Sequence, residues 1–411
     1  MFQYLDILQR AIVAALLGAA TLCVVSCSQD ETLAHQTDVE PQPIGFNVVL
    51  NSQTASATRA VTSITNETFT EFDVWAFKAD ADKTTDETYV MGVSASKGFQ
   101  ISKNSTYSVI DSVQRKNPDT KIWGYANKKQ ETFWPNDGSQ KLSFYALSPS
   151  TVNKTLVNQT VNMTKTSPSF TYTLDHEHQT DIIAAGRTVN LREINKHQVT
   201  GVIWMAVPLT FKHTLSLIDF DAKMVSGYPG LSITVYDITI CNAARTGTCT
   251  INPETNTVSW GSLTTKETDA YKFTTGTSDG ITLYTEDGKT GPFTTPVPLT
   301  NGLESSNSDN LLIIPQQLTE WADNTTIEAA NAAGQSYLKI HCKMTQKGHN
   351  LLREEYVYVP FEADWQPHNR YTYHLTFGLG RDSNGSVNAM DITYTVTMSE
   401  WGTGTAPTPT L

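Results

Sequence analysis

The chain has 411 residues, a formal net charge of −12 and only 17% charged residues. With no basic stretch, that balance sets nucleic acid aside as a partner, and the length allows two or three domains. A composition rich in Thr, Ser, Asn, Tyr and Val, with recurring turn dipeptides, fits an all-β extracellular protein.

The chain opens with Arg10 followed by an apolar run, Ala11 to Val25. The run is too short and too poor in large residues for a good membrane span and fits a secretory signal. Ser26 supplies the small residue that signal peptidases need, and Cys27 follows it. Residues 1–27 therefore resemble a lipoprotein signal peptide with its lipobox, and Cys27 is the expected lipidation (palmitate) site. No second apolar segment reaches spanning length, so on this reading the lipid alone holds the chain to a membrane.

Residues 28–59 read as a polar tether carrying one strand. Ile44, Phe46, Val48 and Leu50 alternate with smaller or polar residues and share one face. After them the segment Thr54 to Thr58 has only small residues and no apolar pattern, which suits an exposed, protease-accessible loop. It ends in Arg59-Ala60, the expected processing site.

Strands then follow at short intervals. They are expected over Phe69–Phe77, Tyr89–Val93, Lys121–Tyr125, Leu142–Leu147, Phe170–Leu174 and Thr180–Ala185. Asn190 to Lys196 reads as one helical turn or a linker, and a domain boundary is placed near Thr200. The second half continues with one long alternating strand, Val207–Phe220. Leu231–Ile240, Thr248–Ile251, Thr257–Trp260 and Asn310–Gln316 follow, the last stopped by Pro315. Ser336–Met344, Glu354–Phe361, Arg370–Phe377 and Met390–Met398 complete the set. The best helical candidate is the short Ile327–Ala333. Each half supplies strands enough for one two-sheet sandwich, 44–200 and 201–411. The last strand, within 390–400, carries Ile392, Tyr394, Val396 and Met398 on one face, a ladder similar to that of the first.

Of five cysteines, Cys23 leaves with the signal peptide and Cys27 takes the lipid. Cys241 and Cys249 flank what reads as a hairpin turn. Across two strands they would be placed to bridge; two small half-buried side chains are the other reading. Their spacing does not suit zinc. Asp175-His176-Glu177-His178 is the densest titratable cluster but lacks a third ligand, so it reads as a solvated loop, and no metal or cofactor is expected. His213, inside an apolar strand, reads as a hydrogen-bonded core histidine rather than a base. Gly288-Lys289-Thr290 echoes the end of a phosphate loop, but Leu283 stands where the first glycine belongs. No Gly-x-Ser-x-Gly elbow or His-Glu-x-x-His motif occurs, and no enzyme is expected.

Seven stretches carry a resemblance. They are the lipobox; Ile44-Gly45-Phe46 with Thr58-Arg59-Ala60; Phe133-Trp134-Pro135 with Leu142 to Ala146; and Gln179 to Ala184. The others are Val207 to Ser216, Leu312 to Gln316, and Trp365 to Tyr373. In this order the chain resembles the fimbrillins, type V pilins of Bacteroides-like bacteria; Asp30 and Glu31 likewise resemble the surface-export signal of lipoproteins there. His368 departs from the pattern, standing where the family usually has glycine.

The resemblance implies two tandem transthyretin-like (Greek-key) β-sandwich domains in a surface-exposed outer-membrane lipoprotein that becomes part of a fimbrium. An arginine-specific protease would cut after Arg59 and the first strand would leave. A strand from the next subunit would then fill its groove, with Ile392, Tyr394, Val396 and Met398 as the donor ladder. The implied partners are other fimbrial subunits, the protease, membrane lipid, and a host or bacterial surface ligand for adhesion. The alternative is a glycan-binding surface lipoprotein that keeps its first strand and stays monomeric.

Overall fold

The computed structural model describes residues 43–400 apart from 51–67, 79–88, 104–122, 136–141, 151–158, 175–178, 192–206, 226–229, 253–254, 256, 265, 276–277, 285–295, 300–310, 323–324, 379, 382–386 and 389–391. The first strands are β1 (Phe46–Leu50), β2 (Glu71–Lys78), β3 (Tyr89–Met91), β4 (Phe99–Lys103), β5 (Trp123–Tyr125), β6 (Leu142–Ser148), β7 (Gln159–Asn162), β8 (Ser169–Thr173), β9 (Ile183–Leu191) and β10 (Val207–His213). Then come β11 (Ser216–Met224), β12 (Leu231–Cys241), β13 (Thr246–Ile251), β14 (Val258–Gly261), β15 (Tyr271–Thr274), β16 (Ile281–Tyr284), β17 (Val297–Pro298) and β18 (Leu311–Ile313). The set ends with β19 (Gln317–Leu318), β20 (Tyr337–Gln346), β21 (His349–Pro360), β22 (Ala363–Asp364), β23 (Asn369–Phe377), β24 (Gly380–Arg381), β25 (Val387–Asn388) and β26 (Ile392–Glu400). Among the described residues a 3-10 turn, Lys128–Gln130, and one short α-helix, α1 (Ile327–Ala333), interrupt them; Thr326 caps the start of α1 and Gly334, in the left-handed conformation, ends it. The protein is all-β.

The largest sheet has the order β1-β10-β9-β6-β2-β4-β5, with β3 also on β2. Its middle strands are apolar almost without alternation because both of their faces are covered. Every residue of β6 is buried. Along β2, Phe72, Val74 and Ala76 enter one core with Phe144 and Phe211, whereas Trp75 and Phe77 enter another with Tyr145 and Phe170. The two ends of this sheet come together. Ile44 donates its N–H to Thr132 O at 2.8 Å, and the Tyr125 hydroxyl donates to Ile44 O at 3.0 Å.

The remaining sheets are β17-β11-β23-β26 with β18 on β11, β15-β12-β20-β21 with β16 on β12, and β14-β13-β8-β7; β19-β22 and β24-β25 are two-stranded. All of them except β24-β25 contribute to the larger core, which contains Phe220, Ile240, Trp365 and Tyr373.

Two local expectations are corrected. The single strand over Val207–Phe220 is two strands, β10 and β11, in different sheets. They separate at Thr214-Leu215, where the Thr214 N–H and hydroxyl both donate to Ile182 O. The supposed hairpin between Cys241 and Cys249 is a passage between sheets, since β12 and β13 do not pair. Cys241 packs beside Ala330 and Tyr337, while Cys249 lies in the larger core. Both thiols, and that of Cys342, are free and buried. The expected boundary near Thr200 lies outside the described residues. Strand pairing crosses it three times: β10 pairs with β1 and with β9, and β13 with β8.

Candidate functional site at the first and last strands

β1 lies parallel to β10, in register from Phe46↔Val207 to Leu50↔Phe211. Its alternation works as its sequence suggests. Ile44, Phe46 and Leu50 are buried, Val48 is half-buried, and Val49 on the other face is exposed. The Phe46 ring meets the edges of Phe72 and Tyr125, with centroids 5.9 and 6.2 Å away. A fully buried large apolar side chain contributes about 1.5–3 kcal/mol. Three of them hold β1 by an upper estimate of about 5–9 kcal/mol, before the cost of ordering the strand.

Among the described residues β26 pairs only with β23, antiparallel, from Asn369↔Glu400 to Phe377↔Ile392. The partner residues Tyr371, Tyr373, Leu375 and Phe377 are all buried. Ile392 is covered, and Tyr394 is half-covered against Phe361 and Tyr373 with its hydroxyl accepting the Glu362 N–H. Val396 and Met398 are each 40% exposed. The expected ladder exists, but its second half has no full cover. On the opposite face His374 ties the strand down. Its Nδ1 meets the Asp221 carboxylate at 2.8 Å and its Nε2 meets the Thr397 hydroxyl at 2.7 Å. Burial pushes the Asp221 carboxyl up, and the His374 contact works against that rise.

Four of the motif stretches meet between these strands. Asp181 accepts from His213 Nδ1 at 2.7 Å, both side chains being buried. Gln179 accepts the Leu312 N–H, the Ser216 hydroxyl donates to Gln366 O, and His368 donates its N–H to Leu215 O. The Trp365 indole donates to the Tyr373 hydroxyl. Gln316 clamps Ala244 from both sides, accepting its N–H and donating to its carbonyl, each at 2.8 Å. His368 has φ +67°, which explains why glycine suits this position. Its ring stacks on His213 with centroids 6.0 Å apart. Burial first, then the neighbouring His213 and Lys212, lower its pKa to about 4.

Sequence reading missed this joint as a unit, although it named each stretch, because the partners are far apart in the chain. It also missed β4, β7, β15 and β16, which are short and weakly patterned. Cys27, Arg59, Ala60, the Asp175–His178 cluster and Gly288–Thr290 lie outside the described residues, as does Met390 at the head of the expected last strand. No group of His, Cys, Asp and Glu suited to a metal occurs among the described residues. No helix among them is long and apolar enough to cross a membrane.

The profile of the fimbrillin-like family matches residues 58–401, and the chain belongs to that family. A fimbrial protein from Bacteroides vulgatus shares the fold with a TM-score of 0.53 at 16% identity; 88% of this chain and 99% of that one are covered. A candidate cell adhesion protein from Bacteroides uniformis is also similar, with a TM-score of 0.40 at 13% identity and coverage of 87% and 99%. No curated protein matches the chain significantly. Membership gives the chain a fimbrial role in a surface appendage, in company with other fimbrial subunits and not among enzymes.

Proposed function

We propose that the chain is a structural subunit of a surface fimbria, exported as a lipoprotein acylated on Cys27 and assembled by strand exchange after cleavage between Arg59 and Ala60. An arginine-specific protease makes the cut, β1 leaves, and β26 of a neighbour takes its place beside β10. The observation that carries this reading is the position of β1. It is an edge strand whose apolar face plugs the seam where the two ends of the largest sheet meet. Losing it uncovers Phe72, Tyr125, Leu209 and Phe211, and an exposed edge beside apolar pockets recruits a new strand. β26 supplies the complement, because three of its four ladder residues lack full cover in its own subunit. The division into two tandem transthyretin-like domains is part of the proposal, with β10 counted in the first because of its pairing.

The test is the high-mass ladder on unboiled gels after treatment with an arginine-specific protease. Arg59→Ala should leave a folded, lipidated monomer that forms no ladder. A ladder equal to the parent's would move the switch elsewhere and favour a monomeric lipoprotein.

A further inference from the structure

The outer face of the β12-β20-β21 sheet carries an aromatic strip that the fold does not need. The register shift between Val235 and Asp237 brings the consecutive Tyr236 and Asp237 onto the same neighbour, His341. The His341 ring lies between Tyr236 at 4.9 Å and Tyr356 at 4.8 Å, the latter stacked. Tyr358 continues the row along the edge strand, paired with Lys339 as Tyr356 is paired with His341. Tyr356 and Tyr358 are 45% and 37% exposed.

The rings are already fixed. Asp237 and Glu354 hold the two nitrogens of His341, each at 3.3 Å. Lys339 sits 4.8 Å from the Tyr356 ring centre and pairs with Asp269. A ligand laid on such a face loses little affinity to ordering side chains. Positive and negative groups alternate here and are paired with one another, so the face offers no single-sign field for a charged ligand. The net charge of −12 further opposes a nucleic-acid backbone. Asp237 is 8% exposed, and its Oδ1 is buried with no hydrogen-bond partner among the described residues. That atom is covered, so the polar groups the face offers to ligand hydroxyls are the exposed Glu354 carboxylate and the half-buried His341 ring.

We infer that this face binds an extended neutral polysaccharide, whose apolar ring faces lie on Tyr236, Tyr356 and Tyr358 while its hydroxyls meet the flanking His341 and Glu354. Amphipathic rings with polar groups at their margins suit a ligand that is itself apolar on its faces and polar around its rim. The inference rests on the surface location in the reading above and is independent of strand exchange.

The experiment uses the unprocessed chain, so its outcome does not depend on assembly. Native gels are cast with dextran, yeast mannan, xylan or starch, and with polygalacturonate as the charged arm. At least one neutral polymer should retard the chain. Tyr356→Ala and Tyr358→Ala should each weaken that retardation about tenfold. Tyr356→Phe, which keeps the ring, should retain it and serves as the folding control. Three results would each overturn the inference: no retardation by any neutral polymer, retardation unchanged in the Tyr356→Ala/Tyr358→Ala double variant, or retardation only by polygalacturonate that salt abolishes.

Discussion

The first and last strands read alike in sequence, with four apolar residues at alternate positions, yet the fold treats them differently. β1 pairs with β10, and the residues just before it, Pro43 and Ile44, meet Phe133 and Thr132. β26 is flanked only by β23 among the described residues. Three of the four ladder residues are buried in β1, but only Ile392 is fully covered in β26. Alternation thus fixes which side chains share a face, whereas burial depends on whether another layer stands opposite that face. On the proposed function the difference is useful: a tightly seated strand keeps the subunit closed, and a loosely covered one is ready to move.

The largest effect should come from removing the loose strand. Deleting Asp391 onward should abolish growth of the high-mass ladder, while the cleaved, truncated subunit still accepts a strand from an intact neighbour. A full ladder from the truncated chain alone would end β26's role as donor.

Next, Phe46→Ala in the unprocessed chain should cost about 3–5 kcal/mol, the range for an aromatic lost from a packed core. Urea unfolding measures it, and a loss under about 1 kcal/mol would show that β1 is no better seated than β26.

A smaller effect is expected from pH. His368 lies just before β23 and stacks on His213 at the end of β10, so it touches the supports of both strands. Its pKa falls from 6.5 to about 4 on folding. The unfolded chain therefore takes up this proton first, and stability is lost as pH falls from about 6.5 toward 4. Thermal melts should show that loss, and His368→Gly should flatten it. An unchanged slope would remove His368 as the cause.

The smallest effect is Val396→Ala, which should cost the monomer less than about 1 kcal/mol because the side chain is already 40% exposed. The same change should nevertheless slow ladder formation, where that side chain is expected to be enclosed. Equal rates for parent and variant would contradict the proposed enclosure.

Much of the fold is legible locally. The buried run Leu142–Leu147 and the helix Ile327–Ala333 stand where their sequences place them, because an apolar run interrupted only by Ser143 and a cap-to-glycine pattern are local signals. The break at Thr214-Leu215 is not legible, since apolar residues continue through it and only the contact with Ile182 reveals the change of sheet. The passage from Cys241 to Cys249 misleads for the same reason. It looks like a hairpin turn, but Gln316 and the Tyr271 hydroxyl, distant in sequence, hold Ala244 between two sheets. The aromatic strip needs the register shift at Tyr236, which no spacing in the sequence announces.

The parallel register of β1 on β10 has a consequence for the polymer. A strand that replaces β1 in the same sense must run with β10, so every junction has the same direction. Such contacts are head-to-tail, and where their rotation does not close a ring they give a polar filament with unlike ends. A subunit that keeps its own β1 can lend its last strand but cannot receive one, which makes it a terminator. Filament length would then follow the ratio of uncut to cut subunits, with no separate capping protein required.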